Sequence, residues 1–453
     1  MKKVKRIIAS LLAGMMVLSM AACGNGNDSG NTAVGGSNTA SSDGDTIKIG
    51  YMCEETTALG FSNQWTDIAT YMWLDTINAN GGIDGKQVEF VRYDAQNDPS
   101  LATQRLSEMK ADGMVACLEI ACAGKMAPAI AEWCAENKFP VIHTCNSATA
   151  FTIETSSPYM FTVAVNSWGM SKILAENAIG KEGNTTFAYI GVDEACCLDA
   201  EKFLEREGQK YNPDVKETDS YRVSWDDSQF STIISTLLSQ EDKPDMILQQ
   251  GGGSNFINIV QQANMYNAFE EFDIYNDLAV DTASCSDLAT SGEFPYGHIK
   301  GFAMFPWWDE STKEFTDLFE ETRIAHGGDE GLVPGDLAYY AYSCANVLGM
   351  ALEACVEDGA DYTDGDTLTK YIHNVEYSDF CGDHYFRDFD NQFVFDAYYV
   401  FSEDGGEEFS HLPIADLSTK YVGEEWLPSY EDMDEYAKEI GATDWDVSAF
   451  WEE

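Results

Sequence analysis

The sequence predicts an α/β fold built as two lobes, and three observations lead there. From residue 46 onward, short apolar runs alternate with longer amphipathic ones. Glycine and proline stand at many of the junctions between them. Of 453 residues, 409 remain once a leader-like start and a polar stretch ending at residue 44 are set aside, a length that suits two domains.

The elements follow in order. Residues 46–52 read as a strand. A helix over 65–78 places Ile68, Met72, Trp73 and Ile77 near one face, and Asn80-Gly81-Gly82 stops it by allowing a left-handed exit. Residues 88–93 form a strand, and 99–111 a helix opened by Pro99 in its first turn. A strand over 114–118, a helix over 126–137 and a strand over 140–143 continue the pattern. Repeated strand–helix–strand units call for a parallel sheet covered on both faces. After Val165, helices over 167–179, 198–208, 230–238 and 255–263 alternate with strands over 186–190 and 246–249, which predicts a second set of layers. Helical runs over 311–326, 336–356 and 367–373 come next. Residues 383–401 alternate aromatic and polar side chains like a β-hairpin. No repeat at solenoid periods is evident.

The start of the chain reads as an export signal. Lys2, Lys3, Lys5 and Arg6 precede a short apolar run from Ile7 to Met20, too brief for an ordinary membrane span. Met20-Ala21-Ala22-Cys23 then fits a bacterial lipobox, so residues 1–22 are expected to be removed and Cys23 to carry the lipid. Residues 23–45 are almost wholly small and polar and read as a flexible tether. The protein is therefore expected outside the cytoplasm, lipid-anchored to the outer face of the cell membrane.

Composition narrows the partners. Hydrophobic residues make up 44% of the chain, as in a globular protein. Loss of residues 1–22, with four positive charges and no negative one, takes the net charge from −51 to −55. That strongly disfavours nucleic acid and anionic lipid head groups as partners. Twelve cysteines are present, eleven without Cys23, and their spacings contain no Cys-x-x-Cys pair. Most sit in apolar strings, where a free thiol behaves as a small hydrophobe.

Catalytic motifs are missing. There is no His-Glu-x-x-His and no Walker A sequence. Gly252-Gly253-Ser254-Asn255-Phe256 departs from a nucleophile elbow at Phe256, and the stretch from Asp388 lacks the glycine of a calcium loop. His143 and Cys145 share a strand face but no orienting third group is apparent. No metal and no cofactor are expected.

Residues 75–86, Asp-Thr-Ile-Asn-Ala-Asn-Gly-Gly-Ile-Asp-Gly-Lys, together with Tyr93-Asp94 and Asn97-Asp98-Pro99, carry a specific resemblance. With Ile47–Gly50 before them, they closely resemble the leucine/isoleucine/valine-binding family of ABC-transporter receptors, over about residues 46–405. The resemblance implies a type I periplasmic-binding fold: two Rossmann-like lobes joined by three crossover strands, with ligand in the cleft. It implies crossovers near 161–166, 301–306 and 380–386. Lobe one would be 46–164 with 307–380, and lobe two 165–306 with 381–453.

Ligands in open α/β sheets lie beyond the carboxyl ends of the strands, where helix N-termini offer N–H groups to anions. Two loops of lobe one fit: Cys122 and Ala123 after one strand, and Cys145, Asn146 and Ser147 after the next. In the resembled family the matching loops hold the ligand's carboxylate and ammonium. In lobe two the family's tyrosines fall near Cys196 and Gly252, and its acid near Asp277 or Asp281. Losing both tyrosines and a serine widens the cleft, so that Phe61 and Trp65 either face a larger or aromatic ligand or simply pack the lobe. The expected function is a monomeric binding receptor that delivers a small polar organic solute, an amino acid or a relative, to ABC permease subunits. The alternative is a receptor that presents ligand to a signalling partner. A hydrolase reading lacks a complete catalytic constellation.

Overall fold

The computed structural model describes residues 4–5, 46–120, 124–144, 148–149, 152–276, 282–407, 411–414 and 419–452. Cys23 and the expected tether lie outside them. A two-residue strand, β1 (Val4–Lys5), pairs in parallel with Val375 and Glu376.

Apolar runs bounded by turn residues become buried strands. The first sheet holds β2 (Thr46–Cys53), β3 (Gln87–Asp94), β4 (Cys117–Glu119), β5 (Val141–His143) and β6 (Met160–Thr162), in the order β3-β2-β4-β5-β6. All its pairings are parallel. Helices α1 (Asn63–Ala79), α2 (Pro99–Ala111) and α3 (Ala127–Asn137) connect its early strands. Asp98 caps α2 by accepting from the Leu101 amide, and Pro99 occupies the first turn, as its fixed φ favours. Past α1, Gly82 has φ +75°, and a Cβ there would lie 1.8 Å from the Lys86 carbonyl oxygen, so only glycine fits the turn.

The second sheet holds β7 (Thr186–Val192), β8 (Lys216–Val223), β9 (Met246–Gln250), β10 (Asp273–Asn276) and β11 (Ile299–Ala303), all parallel. Ahead of β7 comes α4 (Ser167–Leu174), continued by a π turn over Ala175–Lys181, and between the strands run α5 (Ala195–Gly208), α6 (Ser231–Ser239), α7 (Gly253–Met265) and α8 (Thr282–Ser291). The chain then returns to the first lobe as α9 (Lys313–His326), α10 (Asp336–Asp358) and α11 (Gly365–His373). α1 packs along α10 and α9. Two further strands complete the second sheet: β14 (Ala397–Phe401), antiparallel to β11, and β17 (Thr419–Tyr421), antiparallel to β14. Both faces of each sheet are covered, and one apolar cluster runs from Ile47 and Trp73 through Phe302 to Tyr275, uniting the lobes.

The stretch expected as a single hairpin over 383–401 is divided. β12 (Val375–Asp379) pairs with β13 (Gly382–His384), Phe386 bridges Phe393, and Gln392 bridges Thr162 at the edge of the first sheet. Only at Ala397 does the chain join the second sheet, so the third crossover comes later than 380–386. Aromatic–polar alternation marks an extended chain but not which sheet receives it. The segment after β14 carries β15 (Glu403–Asp404) against β16 (Pro413–Ile414), then α12 (Tyr430–Ile440).

The crossover after β11 is pinned by a buried acid. Asp336, first residue of α10, accepts from the amides of Met304 and Phe305, the latter at 2.7 Å. Burial raises its carboxyl to about 6, against those two donors, which pull it down.

Candidate ligand cleft

Loops at the carboxyl ends of the two sheets meet between the lobes, Phe61 against Gly253 and Asn97 against Glu194, and strand-end loops of this kind are where open α/β sheets take ligands. On the first lobe, Glu54 follows β2 and is buried. Its carboxylate accepts from the Asn97 amide at 2.8 Å and from the Thr57 hydroxyl at 3.0 Å, tying together the loops after β2 and β3. One level below lies a buried row that is polar at every position but its first. Met52, Glu119, His143, Thr162 and Gln392 are register partners across successive strands. The His143 ring bonds the Thr162 hydroxyl at 2.8 Å, and burial pushes its pKa down to about 3, so the ring is neutral. Glu119 and His143 in this row end the strands that lead toward the two loops that sequence reasoning selected.

Of those loops, Cys122, Ala123, Cys145, Asn146 and Ser147 lie outside the described residues, as do Asp277 and Asp281. The remaining candidates have definite places. Phe61 sits in a short 3₁₀ turn, Ala58–Ser62, and meets the second lobe directly: a Cβ on Gly253 would lie 3.3 Å from its ring. Trp65 is 3% exposed within the core, and its indole donates to the Val333 carbonyl at 3.0 Å. It therefore positions the loop before α10. Val333 from that loop packs against the second lobe's cluster. Cys196, in the first turn of α5, is half-buried and touches apolar clusters of both lobes. Gly252 is buried and opens α7 from an extended conformation.

The second lobe adds a network that the sequence reading missed. Gln249, Gln250 and Asn276 at strand ends and Asn255 in the first turn of α7 are fully buried. Asn276 donates to the Gln249 side chain and, at 3.3 Å, to the Gly251 carbonyl. Gln249 donates to Asn255, which in turn donates to the Ser224 carbonyl at 3.1 Å. Three loops are thus locked to one another by amides that burial would otherwise penalise. The available signal was Gln249-Gln250 ending an apolar strand. Trp225, two residues beyond β8, was also missed; its indole N–H is buried and meets no acceptor among the described residues.

The lobes touch at several points. Asn97 donates to Glu194 at 3.3 Å, and Lys125 stands close enough to Glu194 to oppose the rise that burial imposes on its pKa. The amide and hydroxyl of Thr149 both donate to one oxygen of Asp199, at 2.7 and 2.8 Å. Asp199 is paired in turn with Lys202. This arrangement can grip a solute between two faces; among the described residues no cluster has the makings of a metal site.

Two α/β lobes, three passages of chain between them and a polar cleft at the facing strand ends define a two-lobed receptor for small molecules. The chain belongs to the periplasmic binding protein family, whose model matches residues 46–407. Among solved structures it is similar to a periplasmic binding protein from Burkholderia mallei, with 18% identity, TM-score 0.73, and coverage of 90% of this chain and 100% of that one. A solute-binding protein of an ABC transporter from Rhodopseudomonas palustris BisB5, solved with 3,4-dihydroxybenzoic acid, shares 18% identity at TM-score 0.70, covering 83% and 98%. A leucine-, isoleucine-, valine-, threonine- and alanine-binding protein from Brucella ovis, in a closed conformation, shares 15% at TM-score 0.69, covering 85% and 97%. No curated protein matches. Among the described residues, no helix is long and apolar enough to cross a membrane.

Proposed function

We propose that this chain is the extracytoplasmic solute-binding lipoprotein of an ABC importer. Its cargo is a small polar organic acid, an amino acid or a relative with an aromatic or bulky apolar body. One observation supports the reading: buried amides of Gln249, Asn255 and Asn276 tie together the strand-end loops of the second lobe, and the Phe61 ring of the first lobe meets Gly253 beside them. Fixed amides supply orientation and aromatic faces supply apolar area, the usual division of labour in small-molecule pockets. The loops carrying Cys122 and Ala123, and Cys145, Asn146 and Ser147, would hold the carboxylate and ammonium through backbone groups and the Ser147 hydroxyl, with Asp277 or Asp281 toward the ammonium. Relatives in this fold bind both hydroxybenzoates and aliphatic amino acids by their descriptions, which supports testing both classes.

The body held by Cys23 and its tether comprises lobe one, 46–164 with 307–394, and lobe two, 165–306 with 395–453. The mechanism is hinge closure: solute bridges the lobes, favouring the closed form by its differential contacts. Thermal denaturation against amino acids, amides and aromatic acids tests the proposal. Saturable stabilisation by one of these classes is expected, and a blank across all three contradicts it.

A further inference from the structure

The matched family region ends at residue 407, and a folded segment follows over residues 419–452. It begins at Leu427-Pro428, whose carbonyls accept from Lys172 and Arg387. Ser429 and Asp432 then form a reciprocal cap that starts α12. The apolar face of α12 is narrow, only Met433, Tyr436 and Ala437, and it seats on the second lobe. Trp168 of α4 and Phe203 of α5 stack at 4.3 Å, and Tyr436 meets both edge-on at 5.5 and 5.3 Å. Arg206 lies over Trp168 and Tyr436 and pairs with Glu439.

Past Gly441 the chain leaves the second lobe. Trp445 packs on Phe389, and the Val447 amide donates to the Phe389 carbonyl at 3.1 Å. The last turn lands on the first lobe. Phe450 meets Tyr159 edge-on at 5.4 Å, and Lys370 of α11 lies over its ring. Trp451 stacks on His373 of α11 at 3.9 Å and 6°, and its indole donates to the Asp388 carbonyl at 2.9 Å.

We propose that residues 427–452 form a brace across the hinge, a fourth crossing between the lobes with one foot packed on α4 and α5 and the other held non-covalently, by ring stacking and a hydrogen bond, beside α11 and β6. Lobe rotation pulls these feet apart, so the brace limits how far the unliganded receptor opens. This is independent of which solute the cleft takes, and it is tested without solute. In hydrogen exchange on the full chain, amides of residues 444–451 are expected to be protected at least a hundredfold. Trp451→Ala is expected to speed exchange of that segment and of 163–166 by tenfold or more, and to raise the radius of gyration measured by solution scattering. Trp451→Phe, which keeps the stack on His373, is expected to show less than half that increase. Unprotected exchange over 444–451 in the wild-type chain overturns the brace whatever the variants do. So does a folded Trp451→Ala protein with wild-type scattering and hinge exchange.

Discussion

Gly253 shows how one missing Cβ controls the meeting of the lobes. Its φ of +57° lies in the left-handed region, and a side chain would press on Phe61 from the opposite lobe at 3.3 Å. Gly253→Ala is expected to keep the fold and weaken solute binding about tenfold, or about 1.4 kcal/mol, in calorimetric titration. Unchanged affinity would remove Phe61 from the closing contact. Asp336 is the second telling residue. Its carboxyl is held near 6 in the fold, whereas an unfolded aspartate titrates near 4. Between those values the folded chain keeps a proton that the unfolded chain has lost. Stability from this group is therefore full below about pH 4 and declines as pH rises through 6, by about 3 kcal/mol. Asp336→Asn is expected to flatten that decline in urea denaturation at pH 4, 5, 6 and 7; an unaltered slope would assign the pH dependence elsewhere.

At the scale of elements, the sequence is readable where apolar period and punctuation agree. α2 begins at Pro99 and ends at Ala111 as the capping pattern requires. α1 stops before Gly81 and Gly82, and Gly82→Ala is expected to cost about 2 kcal/mol in chemical denaturation, since both its φ and the Lys86 carbonyl oppose a Cβ. β8 was unreadable because its residues, Lys-Glu-Thr-Asp-Ser-Tyr-Arg-Val, form a polar edge strand with one buried position. α12 carried a legible Ser429–Asp432 cap, but its three buried apolar residues among many acids concealed the face that packs. Contacts such as Asn97 to Glu194 and Thr149 to Asp199 join residues far apart in sequence. No local pattern announces them, so the cleft was legible as a set of strand-end loops and not as a set of pairings.

At the scale of the whole molecule, charge and architecture set the remaining expectations. A net charge of −51 repels itself across the folded surface. Raising salt from about 10 mM to about 0.15 M, where the screening length falls to roughly 8 Å, is expected to raise the Tm by a few degrees. A Tm that falls with salt would show that ion pairs such as Arg92 with Asp67 outweigh the repulsion. The interleaved path of the chain also means that neither lobe is a contiguous stretch, so a single cooperative unfolding transition is the natural outcome.

On the function proposed here, the two lobes close on a small organic acid. Calorimetric titration of the full chain with aromatic amino acids, aliphatic amino acids and hydroxybenzoates tests it most directly. One class is expected to bind with one-to-one stoichiometry, and at a hundredfold excess over its Kd to stabilise the fold by about 2.7 kcal/mol. No heat and no stabilisation from any of the three would contradict the account.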